Sequence, residues 1–309
     1  MASIDERTDG RTREMTPGQP DEEALVEDEL KPLGEEAPEI VDEASRIGVR
    51  RLERPLAGDA ITSFIGGMSV CFGAVAMATA AASVGGSLAD SSMALLIGAL
   101  AFPIGFVILL VGKSELFTEN FLLPVTGVLD NRGTIRQLSA LWGVSLGGNL
   151  LGALVFALLI SRGDVLAPAP VAELRALAEH KIDYDLLTAF LKAIFAGWLM
   201  TVLTWLLVAG EGMGARLFMI WMIGFLIVLG QFNHVIISGA EIFMAMLFGA
   251  SITPGDWFAR NFLPALAGNM AGGLFFETML QYVQSRFHEP DDEQDGSGAS
   301  RRGHLAKQR

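Results

Sequence analysis

The stretch that decides the fold reads Gly112-Lys113-Ser114-Glu115-Leu116-Phe117-Thr118-Glu119-Asn120. It interrupts an otherwise apolar run over residues 93–129, where a lysine and two glutamates are costly unless they face protein or water. A related interruption, Ser238-Gly239-Ala240-Glu241-Ile242-Phe243, follows about 126 residues later. Two broken hydrophobic segments at corresponding places in two halves of a chain indicate the conduction path of a transporter.

The composition is that of a polytopic membrane protein. The chain has 309 residues, 51% of them hydrophobic, and a mean hydropathy of +0.43, which is too apolar for a soluble domain of this length. The net charge is -13, but residues 1–56 alone carry 16 acidic and 8 basic side chains, so most of it lies outside the apolar part. The only cysteine, Cys71, excludes an intramolecular disulfide.

The chain divides into a membrane domain and two tails. Residues 1–54 are rich in Glu, Asp, Pro and Gly, lack periodicity and contain no signal-peptide core, so they are predicted to form a disordered acidic cytoplasmic tail. A regulatory or partner-binding role for this tail is an open alternative. Residues 55–286 are predicted to form the membrane domain, and residues 287–309 a second disordered cytoplasmic tail.

Hydropathy predicts six spans, each near the roughly 20 residues that cross a bilayer, and the two polar stretches break the second and the fifth. Arginines before the first span and in the links after the second and fourth predict that both termini are cytoplasmic, with the chain in the inner (plasma) membrane. Two prolines ahead of residues 173–180 predict a short surface helix. The predicted spans cover residues 60–84, 93–111 with 119–129, 136–161, 186–209, 217–230 with 240–250, and 258–282.

The two halves resemble each other in sequence. Gly148-Asn149-Leu150-Leu151-Gly152-Ala153-Leu154-Val155-Phe156 is similar to Gly268-Asn269-Met270-Ala271-Gly272-Gly273-Leu274-Phe275-Phe276. Ser114-Glu115-Leu116-Phe117 is similar to Ala240-Glu241-Ile242-Phe243. With three spans in each half, the second copy enters the membrane in the opposite sense, which predicts an inverted 3+3 repeat with both breaks on one pore axis.

At these residues the chain resembles the formate/nitrite transporter family, and within it the divergent YfdC-like branch with an acidic amino-terminal extension. The resemblance covers about residues 57–286. It implies an aquaporin-like protomer of six helices, two of them broken, assembled as a homopentamer with one pore in each protomer. The matching features are Glu115-Leu116-Phe117-Thr118, Lys192, His234, and Asn261-Phe262-Leu263-Pro264 followed by Gly268-Asn269-Met270-Ala271-Gly272-Gly273.

His234 is the main candidate for chemistry, because it is the only histidine within the predicted spans. Its position near a break, directly after Asn233, favours the pore, and a satisfied packing residue is the alternative. In the family the matching histidine lies at the centre of the pathway and is thought to contact the anion or help neutralise it. Such help is needed because a bare anion pays a heavy desolvation cost in an apolar pore, and imidazole titrates in a useful range.

Five other polar or charged candidates lie at or near the breaks, besides Asn233. Thr118 and Asn120 stand where a half-helix begins and are predicted to face the ion, although Thr118 also suits a helix N-cap. Lys192 is predicted by the resemblance to add positive potential at the non-cytoplasmic mouth, whereas a lysine near a span end usually snorkels to the surface. Glu115 and Glu241 add negative charge near the path; for Glu241, protonation, pairing with Lys113 and capping of backbone donors are the options.

Apolar residues bracket these positions and are predicted to form hydrophobic gates, since a dewetted constriction can close a channel. Core packing is the alternative for each of them. The gate candidates are Leu116, Phe117, Phe232, Ile242 and Phe243.

Asn149 and Asn269 are predicted to be structural, since a buried Asn can bond backbone groups that a broken helix leaves free.

The favoured function is a transmembrane channel or transporter for small monovalent anions or their conjugate acids, of the formate or nitrite class, passive or proton-coupled. Alternatives are a pore for another small solute and a membrane anchor or sensor that uses the acidic tail. The expected partners are the anion, membrane lipid and further copies of the chain. No enzymatic activity, cofactor, metal or nucleic acid is predicted.

Overall fold

The computed structural model describes residues 36–85 and 87–287, and within these ranges every regular element is helical. The predicted all-α class is therefore confirmed for the described residues. The predicted tails over residues 1–35 and 288–309 lie outside them.

The first half holds one broken helix between two long ones. The second break separates α9 from α10, and the described residues after α11 form an uninterrupted helical stretch up to Phe287. In chain order the elements are α1 (Ala37–Leu52), α2 (Leu56–Val84), α3 (Ser92–Ala101), α4 (Pro103–Val111), a 3₁₀ helix (Phe117–Phe121), α5 (Leu123–Leu129), α6 (Ile135–Ile160), α7 (Pro168–Ile182), α8 (Leu186–Ala209), α9 (Met213–Leu229), α10 (Val235–Leu247), α11 (Pro254–Asp256), a π-helical turn (Trp257–Phe262), α12 (Leu263–Ala271), a π-helical segment (Gly272–Met279) and α13 (Leu280–Phe287).

Helix lengths agree with a membrane protein. Among the described residues, four helical stretches are long and apolar enough to cross a bilayer, namely α2, α3 with α4, α6 and α8. Two shorter apolar helices, α9 and α10, flank the second break. The surface helix expected between the third and fourth predicted spans is present as α7.

Helix α1 corrects the prediction of a disordered tail up to residue 54, which is wrong for residues 37–52. Its buried positions, among them Ile40, Ala44, Gly48 and Leu52, recur four residues apart, the spacing of one helix face. This face packs against α5. The helix is only 16 residues long, so it depends on tertiary packing for its stability. Its many charged residues lower the mean hydropathy of the segment, so composition alone does not reveal its apolar face.

The last helical stretch contains Pro264, which lacks an N–H group and clashes with the preceding turn of an α-helix. The π-helical turn over residues 257–262 lies directly before it. Widening of the turn next to a proline keeps the helix continuous, so the predicted span over residues 258–282 stays in one piece.

The two breaks have the same backbone geometry at positions 118 residues apart in the numbering. Lys113 and Gln231 both adopt a left-handed conformation, with φ of 59° and 50°. The next residues, Ser114 and Phe232, each donate a backbone hydrogen bond to the carbonyl five residues earlier, at 3.0 and 2.9 Å. The predicted match of residues 114–117 with residues 240–243 is therefore wrong. The second break occupies residues 230–234, and residues 240–243 lie inside α10.

The halves run in opposite directions through the bundle. Helix α2 begins directly after α1 and ends beside α7, where the Leu88 N–H donates to Glu173 at 3.0 Å. Helix α8 begins directly after α7 and ends beside α1, where Trp205 and Val208 pack near Ala44. Because α2 and α8 hold equivalent places in the two halves, their opposite directions confirm the predicted inverted repeat.

In each half, two helices cross with their backbones in close contact at a glycine. A Cβ atom on Gly67 of α2 would lie 1.9 Å from the carbonyl oxygen of Asn149, and a Cβ atom on Gly197 of α8 would lie 2.1 Å from that of Asn269. Only glycine permits such contacts. The crossings bring the two asparagines to the helix breaks.

Candidate functional site

The two breaks meet at a hydrogen bond between His234 and Thr118, whose Nε2 and Oγ1 atoms are 2.9 Å apart. Both residues are fully buried. His234 also caps α10, because its Nδ1 accepts the backbone N–H groups of Ile236 and Ile237 at 3.2 and 3.3 Å. An accepting Nδ1 puts the proton of the neutral ring on Nε2. Nε2 then donates to Thr118, which leaves the threonine hydroxyl proton available for another acceptor.

Thr118 does not cap a helix. It is the second residue of the 3₁₀ helix, whose N-cap position is Leu116, and no side chain caps that helix. The N-cap alternative for Thr118 is therefore wrong, and the capping role at the breaks belongs to His234.

Two asparagines hold the breaks in equivalent ways. Asn149 accepts the Phe117 N–H at 2.8 Å, and its amide donates to the carbonyl oxygens of Ser63 and Glu115 at 2.6 and 2.9 Å. Backbone groups that a broken helix leaves free are thereby satisfied inside the bundle.

Asn269 repeats the pattern in the second half. It accepts the Val235 N–H at 2.8 Å and donates to the carbonyl oxygens of Ala193 and Asn233 at 2.8 and 3.0 Å. The structural role predicted for both asparagines is confirmed. Glu115 and Asn233 are equivalent positions, because each offers its carbonyl oxygen to the asparagine of its own half. The next residue in each half is then also equivalent, so Leu116 is the counterpart of His234.

The glutamates of the first break are paired with arginines. Arg51 of α1 contacts Glu119 at 3.1 Å, the Oδ1 of Asn120 at 2.9 Å and Glu115 at 3.6 Å, and Arg54 lies 3.6 Å from Glu115. The amide of Asn120 donates to Glu115 at 2.9 Å. The side chain of Asn120 is thus engaged between an arginine and a glutamate.

Glu241 forms a buried ion pair with Lys181 of α7, and pairing with Lys113 is excluded. The side chains of Lys181 and Glu241 are 8% and 1% exposed. Sequence reasoning missed Lys181 and Arg51, because one lies in a surface helix and the other in the range assigned to a tail. The glutamates within apolar sequence were the available signal, because a buried carboxylate needs a cation from elsewhere in the chain.

Lys192 lies at the second break. Its Nζ donates to the Gln231 carbonyl oxygen at 3.4 Å and stands 5.0 Å from the centre of the Tyr184 ring. Asn233 accepts from Asn261 at 3.2 Å and donates to the Ala189 carbonyl oxygen at 3.5 Å. The amide of Asn233 therefore links helices, whereas the ammonium group of Lys192 reaches the break.

A cavity of about 280 Å³, here called the α1 cavity, opens on the α1 end of the bundle. A smaller one of about 20 Å³, the α7 cavity, lies toward the other end. His234 and Thr118 line neither, so they occupy the closed segment between them. The polar lining of the α1 cavity includes Arg51, Arg54, Lys113, Glu115, Glu119 and Arg216, and that of the α7 cavity consists of Lys181, Tyr184, Gln231 and Glu241.

The gate candidates fall into two groups. Leu116 and Phe117 are buried beside Thr118, and Phe232 lines the α7 cavity. Ile242 belongs to a cluster with residues of α7, and the Phe243 ring packs on Trp257 with centroids 4.8 Å apart. The core-packing alternative therefore describes Ile242 and Phe243, which lie two turns or more beyond the break.

Two broken helices that meet at a buried histidine, with a polar cavity toward each end of an inverted repeat, define a helical membrane protein of the transport class. A family model described as formate/nitrite transporter matches residues 38–283. The chain belongs to the formate/nitrite transporter family.

Individual relatives agree. The uncharacterized transporter YrhG of Bacillus subtilis (strain 168) is 26% identical over 257 residues, which is 82% of this chain and 94% of that protein. The inner membrane protein YfdC of Escherichia coli (strain K12) is 30% identical over 194 residues, 60% of each chain, as the resemblance to the YfdC-like branch predicted. A solved pentameric formate channel with formate bound has a TM-score of 0.64 at 19% identity, covering 74% of this chain and 97% of that one, and shows the shared fold.

Proposed function

We propose that the protein is a channel or transporter for small monovalent anions or their conjugate acids, of the formate or nitrite class, passive or proton-coupled. The observation that carries the proposal is the contact between His234 Nε2 and Thr118 Oγ1, in the closed segment between the two cavities. Membership of the family and the likeness to a formate channel support the substrate class.

The side chains of this pair, rather than backbone groups, are the donors for a passing anion. The N–H groups of Val235, Ile236 and Ile237 at the start of α10 are already bonded by Asn269 and His234. An anion that separates the pair takes the Nε2–H of His234, which Thr118 otherwise accepts, and the hydroxyl proton of Thr118. Two donors in an otherwise apolar segment offset part of the desolvation cost, and a proton on the anion removes most of the remainder.

The ion pairs that line the two cavities favour an anion over another solute. Glu115 and Glu119 contact arginines, and Glu241 contacts Lys181, so these carboxylates are compensated by neighbouring cations. Lys113 and Arg216 add further positive charge to the α1 cavity. A cavity with more basic than acidic groups raises the local concentration of anions.

The remaining features follow from the family. We infer six spans, counting each broken helix as one and the stretch from Pro254 to Phe287 as the last. The positive-inside pattern supports cytoplasmic termini in a plasma membrane, with the α1 cavity on the cytoplasmic side. The related pentameric channel supports assembly as a homopentamer surrounded by lipid.

Flux of formate, nitrite, hydrosulfide, lactate and neutral solutes into proteoliposomes, with and without a pH gradient, tests the function. We expect formate or nitrite flux in the wild type, and a loss of about tenfold or more in His234→Ala and Thr118→Ala, because each removes a buried donor.

His180→Ala and Thr79→Ala are the matched controls, since His180 lies on the surface helix α7 and Thr79 is exposed on α2. Unchanged flux and pH dependence in a folded His234→Ala protein would remove this residue from the mechanism.

A further inference from the structure

Lys181 and Glu241 form the most deeply buried ion pair among the described residues, and the pathway through His234 and Thr118 does not use it. The lysine comes from the surface helix α7 and the glutamate from the half-helix α10. A buried ammonium group must keep a partner, because removing a charge from water without compensation is expensive. Any anion that takes the place of the Glu241 carboxylate would satisfy the same requirement.

The pair lies on the line from the α7 end of the bundle to His234. Glu241 follows His234 by seven residues in α10, which places it on the same helix face about 10 Å further along the axis. Ile237 stands between them on this face and also lines the α7 cavity. An anion that leaves Lys181 toward the centre therefore meets His234 next.

The α7 cavity has the chemistry of an anion site. Its charged lining consists of Lys181 and Glu241, its uncharged polar lining of Tyr184 and Gln231, and Lys192 lies against the Tyr184 ring. Apart from Glu241 this lining carries no negative charge among the described residues. The volume of about 20 Å³ holds roughly one water molecule, so the Glu241 carboxylate and an incoming anion do not fit beside Lys181 together.

We propose that Lys181 is an anion-binding residue of the pathway, and that the Glu241 carboxylate is its resident counter-anion, which a small monocarboxylate displaces on its way to His234. This inference rests on the proposed function and adds a second anion station to it. It assigns the site a preference for planar carboxylates, because the group that Lys181 holds is itself a carboxylate.

A purely structural role would give the pair a different signature. If it only fastened α7 to α10, replacing both members with apolar residues of similar size would leave transport unchanged, since buried ion pairs are often replaceable without loss of stability. An anion site predicts altered substrate dependence in the same double variant.

The experiment measures the concentration dependence of formate uptake into proteoliposomes for Lys181→Met, Glu241→Gln and the double variant Lys181→Met with Glu241→Leu. We expect Lys181→Met and the double variant to raise the half-saturating formate concentration by about tenfold, the worth of one charge-assisted hydrogen bond. Glu241→Gln should lower it, because the competing carboxylate is gone. Arg162→Met removes an exposed cation from the same connecting segment and should leave it unchanged.

A half-saturating formate concentration equal to that of the wild type in the double variant would overturn the proposal. If either single variant fails to fold, the double variant alone decides the test. A raised value in Glu241→Gln would also contradict displacement. Absence of flux from the wild type for every small anion would overturn the proposed function instead, so the two failures are distinguishable.

Discussion

Asn149 and Asn269 are the residues on which both breaks depend, since each is fully buried and makes three hydrogen bonds to backbone groups. We expect Asn269→Leu to lower the free energy of unfolding by about 3–5 kcal/mol, because a buried backbone group without a partner costs roughly 1–3 kcal/mol. Asn149→Leu should lose a similar amount, because its contacts are equivalent. Chemical unfolding in detergent measures both.

Thr79→Val is the control for these substitutions, because it also removes a polar group, on an exposed face of α2 where Thr79 bonds the Val75 carbonyl oxygen at 2.7 Å. We expect it to change stability by no more than about 0.5 kcal/mol. A loss in Asn269→Leu no larger than in this control would show that water or a shifted backbone replaces the asparagine.

The sequence identifies the central residues but not their partners. His234 stands out because it is a lone histidine at the edge of a broken span, and Thr118 because it lies within a charged interruption. Arg51 and Lys181 carry no local signal, since each is brought to a glutamate 60 or more positions away by tertiary packing. A buried carboxylate predicts that some cation exists, without predicting which one.

Helix α1 is held on the first break by Arg51, which is only 14% exposed and contacts both Glu115 and Glu119. We expect Arg51→Met to destabilise the protein by about 3 kcal/mol or more, since breaking a buried ion pair leaves uncompensated charge. We also expect faster hydrogen exchange throughout α1, which loses its anchor on the first break. Exchange followed by mass spectrometry measures this directly.

Arg50 provides a matched control at the preceding position of the same helix. It is 64% exposed and lies 3.6 Å from Glu43 on the surface. Arg50→Met should change stability by less than about 1 kcal/mol, the usual worth of an exposed ion pair. Equal effects of the two substitutions would mean that α1 is held by its apolar face alone.

Element boundaries were harder to predict than element types. The match of Glu115-Leu116-Phe117 with Glu241-Ile242-Phe243 suggested a second break in the wrong place, because similar letters occur once in a loop and once inside α10. The left-handed residues Lys113 and Gln231 mark the true equivalence, but neither is a glycine or asparagine that would reveal it in the sequence. Helix α1 was missed because its apolar stripe is interspersed with charges.

At the scale of the whole molecule, three buried glutamates are paired with bases from other segments of the chain. Glu115 and Glu119 depend on α1, and Glu241 depends on α7. These long-range pairs compensate buried carboxylates that would be costly alone. They leave the α1 cavity with more basic than acidic groups in its lining. Helix α1 is therefore an energetic part of the membrane domain, because its arginines compensate the glutamates of the first break.

This dependence on α1 predicts opposite outcomes for two truncations. Deleting residues 2–35 should leave formate flux in proteoliposomes close to wild type, because α1, Arg51 and Arg54 are retained. Deleting residues 2–54 should abolish flux or yield, because Glu115 and Glu119 then lose both arginines and the costs of buried unpaired charge apply. Flux per folded protein, with folding checked by size-exclusion chromatography, separates loss of transport from loss of assembly. If the protein that lacks residues 2–35 stays folded but no longer conducts, this acidic segment is part of the transport machinery. The sensor alternative would then gain its first support.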